Sequence, residues 1–238
     1  MLVRNWMSRN VIAIDVKDSM AEATRLMKEN KVRRLPVLKR GRLVGILTDR
    51  DIKEASASDA NTLDIHELLY LLTKIRVEEI MTKDPVTVSP DYTVEETAQI
   101  LLEKKISGVP VVDREGELAG IITQTDIFKV LVSLAGLSKR GISFGFMLDD
   151  KAGSIKEVAD IIRRYGGRMA SILSTYESAP EGQRRVYIRM YDVDRSRLSR
   201  LKEELKEKAT LLYMVDHKEN TREIYVEKYL EKAVLAAK

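Results

Sequence analysis

Gly45-Ile46-Leu47-Thr48-Asp49-Arg50-Asp51-Ile52 and Gly120-Ile121-Ile122-Thr123-Gln124-Thr125-Asp126-Ile127 are one motif written twice: a Gly, two apolar residues, a Thr, and an Asp three positions later. The likeness extends toward the N-terminus. Lys31-Val32-Arg33-Arg34-Leu35-Pro36-Val37 returns as Lys105-Ile106-Ser107-Gly108-Val109-Pro110-Val111, and Val3-Arg4-Asn5-Trp6-Met7-Ser8 returns as Val77-Glu78-Glu79-Ile80-Met81-Thr82. These last two blocks share one offset, and the Gly-to-Asp block is displaced by one residue more. The extra residue falls near Arg114-Glu115-Gly116, where a turn absorbs it. A repeat that tolerates insertion only at a turn is a repeated fold unit.

Each copy reads as β-α-β-β-α. Asn10 to Ile14 is a short apolar run, read as a strand, that stops at Asp18-Ser19. Ser19 with Glu22, and Thr93 with Glu96, have the spacing of a capping box. Met20, Ala23, Leu26 and Met27 then share one helical face, as do Val94, Ala98, Leu101 and Leu102. Leu35–Leu38 with Leu43–Leu47, and Val109–Val112 with Leu118–Ile122, form hairpins turning at Arg40-Gly41 and Glu115-Gly116. A second helix starts after Thr48 and after Thr123. Between the copies, Ala55 to Ala60 is small and polar and reads as a loop, whereas His66 to Leu72 is apolar enough to be a helix lying on the pair.

Composition sets outer limits. Hydrophobic residues make up 44% and charged residues 33% of 238 residues, which describes a soluble globular chain with room for two ordinary domains. No apolar run reaches the length of a membrane span, and the N-terminus lacks the apolar stretch of a signal peptide. Without cysteine there is no disulfide and no thiolate metal site, so the expected compartment is the cytoplasm. The net charge of +4 arises from 41 basic against 37 acidic residues, a slight imbalance that argues weakly for nucleic acid. His66 and His217 stand alone, and no nucleophile elbow or phosphate-binding loop stands out, so no enzyme is expected.

Taken in order, the Met-Ser/Thr near each start, the mid-unit Pro after an apolar residue, and the closing Gly-x-x-Thr-x-x-Asp resemble a CBS domain. Two in tandem resemble a CBS pair, or Bateman module, over about residues 3–134. That resemblance implies adenine-nucleotide ligands rather than a cofactor. Thr48 with Asp51 and Thr123 with Asp126 carry two compatible readings. In one, the Thr caps the new helix and the Asp complements its positive end. In the other, the helix start and the hydroxyl meet phosphate while the carboxylate holds a ribose. The resemblance further implies that backbone groups of Ile12 and Ala13, and of Thr87, meet the adenine edge, with Arg33, Arg34 and Pro36, or Ser107, Gly108, Val109 and Pro110, forming the rest of each wall. Arg33, Arg34 and Arg50 give the first cleft three cations that the second lacks, and Ser107 and Gly108 leave the second room for a flat base.

From Gly141 the pattern changes to βαββαβ. Ile142, Phe144 and Phe146 alternate with Ser143, Gly145 and Met147. Ser154 to Glu157 has capping-box spacing, Val186, Ile188 and Met190 share a strand face, and Leu198, Leu201 and Leu205 mark a second helix. This α+β order, with an acidic turn into Gly153, resembles an ACT domain over about residues 140–217. The resemblance implies edge-to-edge pairing and an amino acid held near Asp150, Gly153, Ser154 and Ile155. The other reading of the turn is a tight strand-to-helix connection.

CBS pair plus ACT is the layout of the acetoin-utilisation type of CBS proteins, which the chain resembles. The expected domains are 1–76 (first CBS domain with a linker helix), 77–136 (second CBS domain), 137–218 (ACT-like) and 219–238 (helical tail). The expected function is a homodimeric, non-catalytic sensor that acts on an unknown regulated protein. The alternative is a DNA-binding or scaffold protein whose clefts are vestigial.

Overall fold

A computed structural model describes residues 1–59 and 73–225. The chain divides into two compact units, Met1–Phe128 and Lys129–Lys238. In the first unit, β1 (Ile14–Asp15) runs parallel to β2 (Arg34–Lys39), which pairs antiparallel with β3 (Arg42–Thr48). The β2–β3 turn holds Arg40 and Gly41 at φ 53° and 82°, the left-handed pair that a tight hairpin requires. Helix α1 (Met20–Asn30) buries Met20, Ala23 and Met27, and α2 (Asp49–Asp59) follows β3. Leu35, Val37 and Leu47 from the hairpin, Ala23 and Met27 from α1, and Ile14, Val16 and Val77 form the core of this copy.

The second copy repeats the plan with a short α3 (Val77–Ile80), β4 (Thr82–Lys83), α4 (Val94–Glu103), β5 (Gly108–Val112), β6 (Leu118–Thr123) and α5 (Gln124–Leu134). Its opening segment pairs across the repeat. Thr82 in β4 lies opposite Ile46 of β3, and by the same rule Ser8 of the first copy bridges Ile121 of β6. Each copy's Met-Ser/Thr thus completes the other copy's hairpin.

In the second unit, β7 (Ile142–Asp149), α6 (Ser154–Arg164), β8 (Arg168–Thr175), β9 (Gln183–Tyr191), α7 (Leu198–Lys208) and β10 (Thr210–Asp216) give the expected βαββαβ plait. With β11 (Thr221–Ile224) they form an antiparallel sheet ordered β11-β10-β7-β9-β8. Phe144, Phe146, Val186, Ile188 and Met190 face Val158, Ile161, Ile162, Leu201 and Leu205 in one core. Helices therefore cover one sheet face, while Ser143, Tyr187 and Arg189 lie on the other, following the two-residue strand period.

Four expectations are corrected. The first strand is shorter than read, only Ile14–Asp15, and its counterpart is a single bridge between Val88 and Val111. The supposed loop from Ala55 is helical through Asp59, with Ser56 Oγ donating to the Ile52 carbonyl. Ser154 is not a cap: Gly153, at φ 90°, holds the N-cap position without a side-chain bond, and the Ser154 hydroxyl accepts from Arg184 instead. The tail does not begin as a helix, because Thr221–Ile224 covers the edge of β10. The linker helix at 66–72 and the tail beyond Tyr225 lie outside the described residues.

Candidate functional site

Both Thr-Asp pairs are built alike. Thr48 donates from its backbone N–H and its hydroxyl to Asp51 Oδ2, each at 2.7 Å, and the Asp51 N–H donates to Thr48 Oγ1 at 3.3 Å. Thr123 donates to Asp126 Oδ2 from its backbone N–H at 3.0 Å and its hydroxyl at 2.7 Å. The capping geometry is therefore realised at the start of α2 and α5, with Asp126 buried and Asp51 half-buried. The N–H of Asp49 donates to the Arg33 carbonyl at 3.0 Å, and that of Gln124 to the Ser107 carbonyl at 3.1 Å. These bonds tie each helix start to the residue just before its hairpin.

The residues named for the walls sit beside the hairpins. Pairing of Ile14 with Val37 sets Ile12 and Ala13, both half-buried, next to the strand bearing Pro36. The Val88–Val111 bridge sets exposed Thr87 next to the strand bearing Val109 and Pro110.

The cations are distributed differently from expectation. Arg34 Nη2 donates to Ser107 Oγ at 2.5 Å, and its guanidinium occupies the space that a Cβ on Gly108 would need. The small residues of the second copy thus receive a side chain from the first. Burial pushes the Arg34 guanidinium below its ordinary value, Asp49 and Asp126 push back, and Arg33 adds to the fall. Arg33 is exposed, and Arg50, 83% exposed, bonds Glu54 at 2.7 Å on its own helix. Of the three cations, Arg34 thus meets the second copy and Arg50 its own helix. Asp49 is the residue missed by the sequence reading. Copy one carries both charges, Arg34 and Asp49, where copy two carries Gly108 and Gln124, and that paired difference was the available signal.

At the turn into α6, Asp150 Oδ1 accepts from the Tyr176 hydroxyl at 3.3 Å and pairs with Arg184 Nε at 3.6 Å. Arg184 Nη2 donates to Ser154 Oγ at 3.3 Å, and Ile155 packs on the core. These bonds tie the turn to Arg184 on β9 and to Tyr176 just past β8. Among the described residues there is no group of three or more His, Cys, Asp or Glu able to hold a metal ion, and no helix is long and apolar enough to cross a membrane.

Comparison with known proteins bears on this arrangement directly. The CBS domain family matches residues 3–58 and 77–133. An inosine-5'-monophosphate dehydrogenase of Korarchaeum cryptofilum is 38% identical over 124 residues, 52% of this chain and 23% of that enzyme. A CBS domain-containing protein of Dictyostelium discoideum is 31% identical over 134 residues, 56% of this chain and 92% of the relative. The chain thus spans under a quarter of the enzyme and nearly all of the second protein. Among solved structures, the CBS pair of protein MJ0100 with 5'-methylthioadenosine and S-adenosyl-L-methionine is 32% identical over 55% of this chain and 95% of its own, with a TM-score of 0.48. An acetoin utilization protein from Vibrio cholerae is 25% identical over 58% and 95%, with a TM-score of 0.49. With its doubled motif, its exchanged opening segments, the two family matches and the Dictyostelium relative covered almost end to end, the chain carries two CBS domains in tandem and belongs to the CBS-domain family.

Proposed function

We propose that this chain is a non-catalytic, cytoplasmic sensor that binds an adenine nucleotide in the clefts of its CBS pair and passes the signal to a separate regulated protein. The observation that carries this reading is the Thr-Asp pair standing at a helix start in both repeats. Each pair offers a hydroxyl and a carboxylate beside the positive end of a helix, the groups that suit phosphate and ribose. Arg34, bonded to Ser107 and felt electrostatically by Asp126, supplies a cation for a phosphate on the second cleft. The domain division expected from the sequence goes with this reading. The plait of the second unit serves as an ACT domain, pairing with a second copy and taking an amino acid near Asp150 to Ile155. A ligand acts by binding one dimer geometry more tightly than another.

Calorimetry with AMP, ADP and ATP tests the nucleotide reading. Asp126→Ala and Asp51→Ala should each weaken binding at their cleft about tenfold, near 1.4 kcal/mol. Unchanged affinity in the double variant leaves the two carboxylates with capping alone and removes the proposal.

A further inference from the structure

The face of the plait that carries no helix holds a cavity of about 380 Å³, lined by Arg185, Tyr187, Arg189 and Tyr213 among others. Its floor follows from one glycine. Gly145 on β7 lies opposite Tyr187 on β9 and Tyr213 on β10, and a Cβ there would strike the Tyr213 ring. Without one, the two rings approach to 6.3 Å between centroids at 24°, stacked across the central strand. One residue pair along, Ser143 lies opposite Arg189, and its hydroxyl meets His217 Nε2 at 3.2 Å. Leu212 and Ile224 close the apolar side.

Arg189 is the informative residue. It is 9% exposed, its Nε donates to the Ala135 carbonyl at 2.6 Å, and its Nη1 is buried with no hydrogen-bond partner among the described residues. Arg185 Nε is buried in the same condition. A buried charged donor left unmade is costly, so such groups ordinarily have a partner. Among the described residues no acidic side chain lines the cavity, and the neighbouring Asp216 carboxylate is taken by both Nη atoms of Arg195. Burial, with Arg189 and Arg222 nearby, holds the His217 imidazole below its ordinary value, so near neutrality it does not add charge.

We propose that this cavity is a binding site for a small monocarboxylate with an apolar or aromatic body, its carboxylate on Arg189 and Arg185 and its body over the tyrosine pair. A guanidinium charge attracts a carboxylate, both arginines line the cavity, and its volume lies within the roughly 300–1,000 Å³ usual for small-molecule sites. Inorganic phosphate fits less well, because Tyr187, Leu212, Tyr213, Val215 and Ile224 make much of the lining apolar. The site shares no residue with the turn at Asp150 to Ile155 or with the CBS clefts.

Titration of the full chain with benzoate and hexanoate, followed by calorimetry and by the tyrosine ring signals in NMR, tests this against benzamide, hexanamide and inorganic phosphate. The acids should bind at least about tenfold more tightly than their amides, and Arg189→Met should abolish that preference. Arg189→Lys should recover part of it. Equal binding of acid and amide, acid binding unchanged in Arg189→Met, phosphate outcompeting benzoate, or no acid binding below about 10 mM would each overturn the proposal. The acid–amide comparison needs no variant, so it stands even if Arg189→Met does not fold.

Discussion

Arg34 lies over Gly108, the residue that holds its own place in the second repeat. A symmetric pair would put the same residue at both positions, and two arginines could not share the space. The pair is built symmetrically in its backbone and asymmetrically here, with one long cation accommodated by one missing side chain. Asp49, where the second copy has Gln124, supplies the balancing charge on the same side.

Ligand selectivity should follow from that asymmetry. Arg34→Ala removes a cation beside Asp126 and opens the floor over Gly108. Adenosine should then bind as well or better, while ATP loses a charge-assisted contact, so the ATP-to-adenosine affinity ratio should fall about tenfold. Calorimetry at one salt concentration measures it. An unchanged ratio would separate Arg34 from the phosphate.

The exchanged opening segments make a second prediction. A Cβ at Gly45 would come 2.5 Å from Met81 Sδ and 3.0 Å from the Thr82 carbonyl, and one at Gly120 would come 2.6 Å from Met7 Sδ and 2.9 Å from the Ser8 carbonyl. The thioether can swing aside, but the carbonyl belongs to the paired backbone. Gly45→Ala and Gly120→Ala should each cost about 1–3 kcal/mol in urea unfolding, by overpacking. A loss at one site only would show that the copies do not lean on each other equally.

These contacts mark where the sequence stops being legible. The hairpins, the Thr93–Glu96 capping box and the two faces of β7 and β9 were readable because each depends on residues near in the chain or on a strand's two-residue period. The doubled Met-Ser/Thr and Gly were visible as repeats, yet their pairing across copies is a tertiary fact with no local trace. Arg34 reads as part of its own cleft because sequence shows which strand end bears a side chain, not how far it reaches. The β11 strand was hidden for a related reason: Thr221 to Ile224 carries little apolar pattern and pairs because β10 offers an open edge.

Acid should weaken the plait through Asp216. Burial alone would raise its carboxyl, but the Arg195 guanidinium and the backbone N–H groups of Glu219 and Lys218 outweigh it, so the folded value lies below the ordinary one. Such a group stabilises the fold above its unfolded value near 4, and that contribution is lost as pH falls through the folded value. Asp216→Asn should therefore cost about 2 kcal/mol at pH 7 and clearly less at about pH 3, read as the shift in urea midpoint. An equal cost at both pH values would sever Asp216 from the acid response.

Assembly is the last prediction, and the fold alters the grounds for it. Edge pairing through β10 is removed, because β11 already covers that strand. The sheet now ends at β11 and β8, and apolar side-chain surface also stands open on helices. Phe128, Leu131 and Val132 on α5 are 63%, 55% and 50% exposed and recur at the three- and four-residue spacing of one helix face, and Leu102 on α4 is 74% exposed. Apolar residues gathered on one face ordinarily mark an interface, and a two-fold partner is the commonest occupant. Light scattering at micromolar concentration should give about 54 kDa, twice the 27.1 kDa chain. Phe128→Glu combined with Leu131→Glu should return the mass of one chain while leaving the circular dichroism of the fold intact, because both side chains already face outward. A monomeric wild type would remove the two-fold coupling on which the sensor reading depends, and a variant that stays dimeric would move the interface off α5.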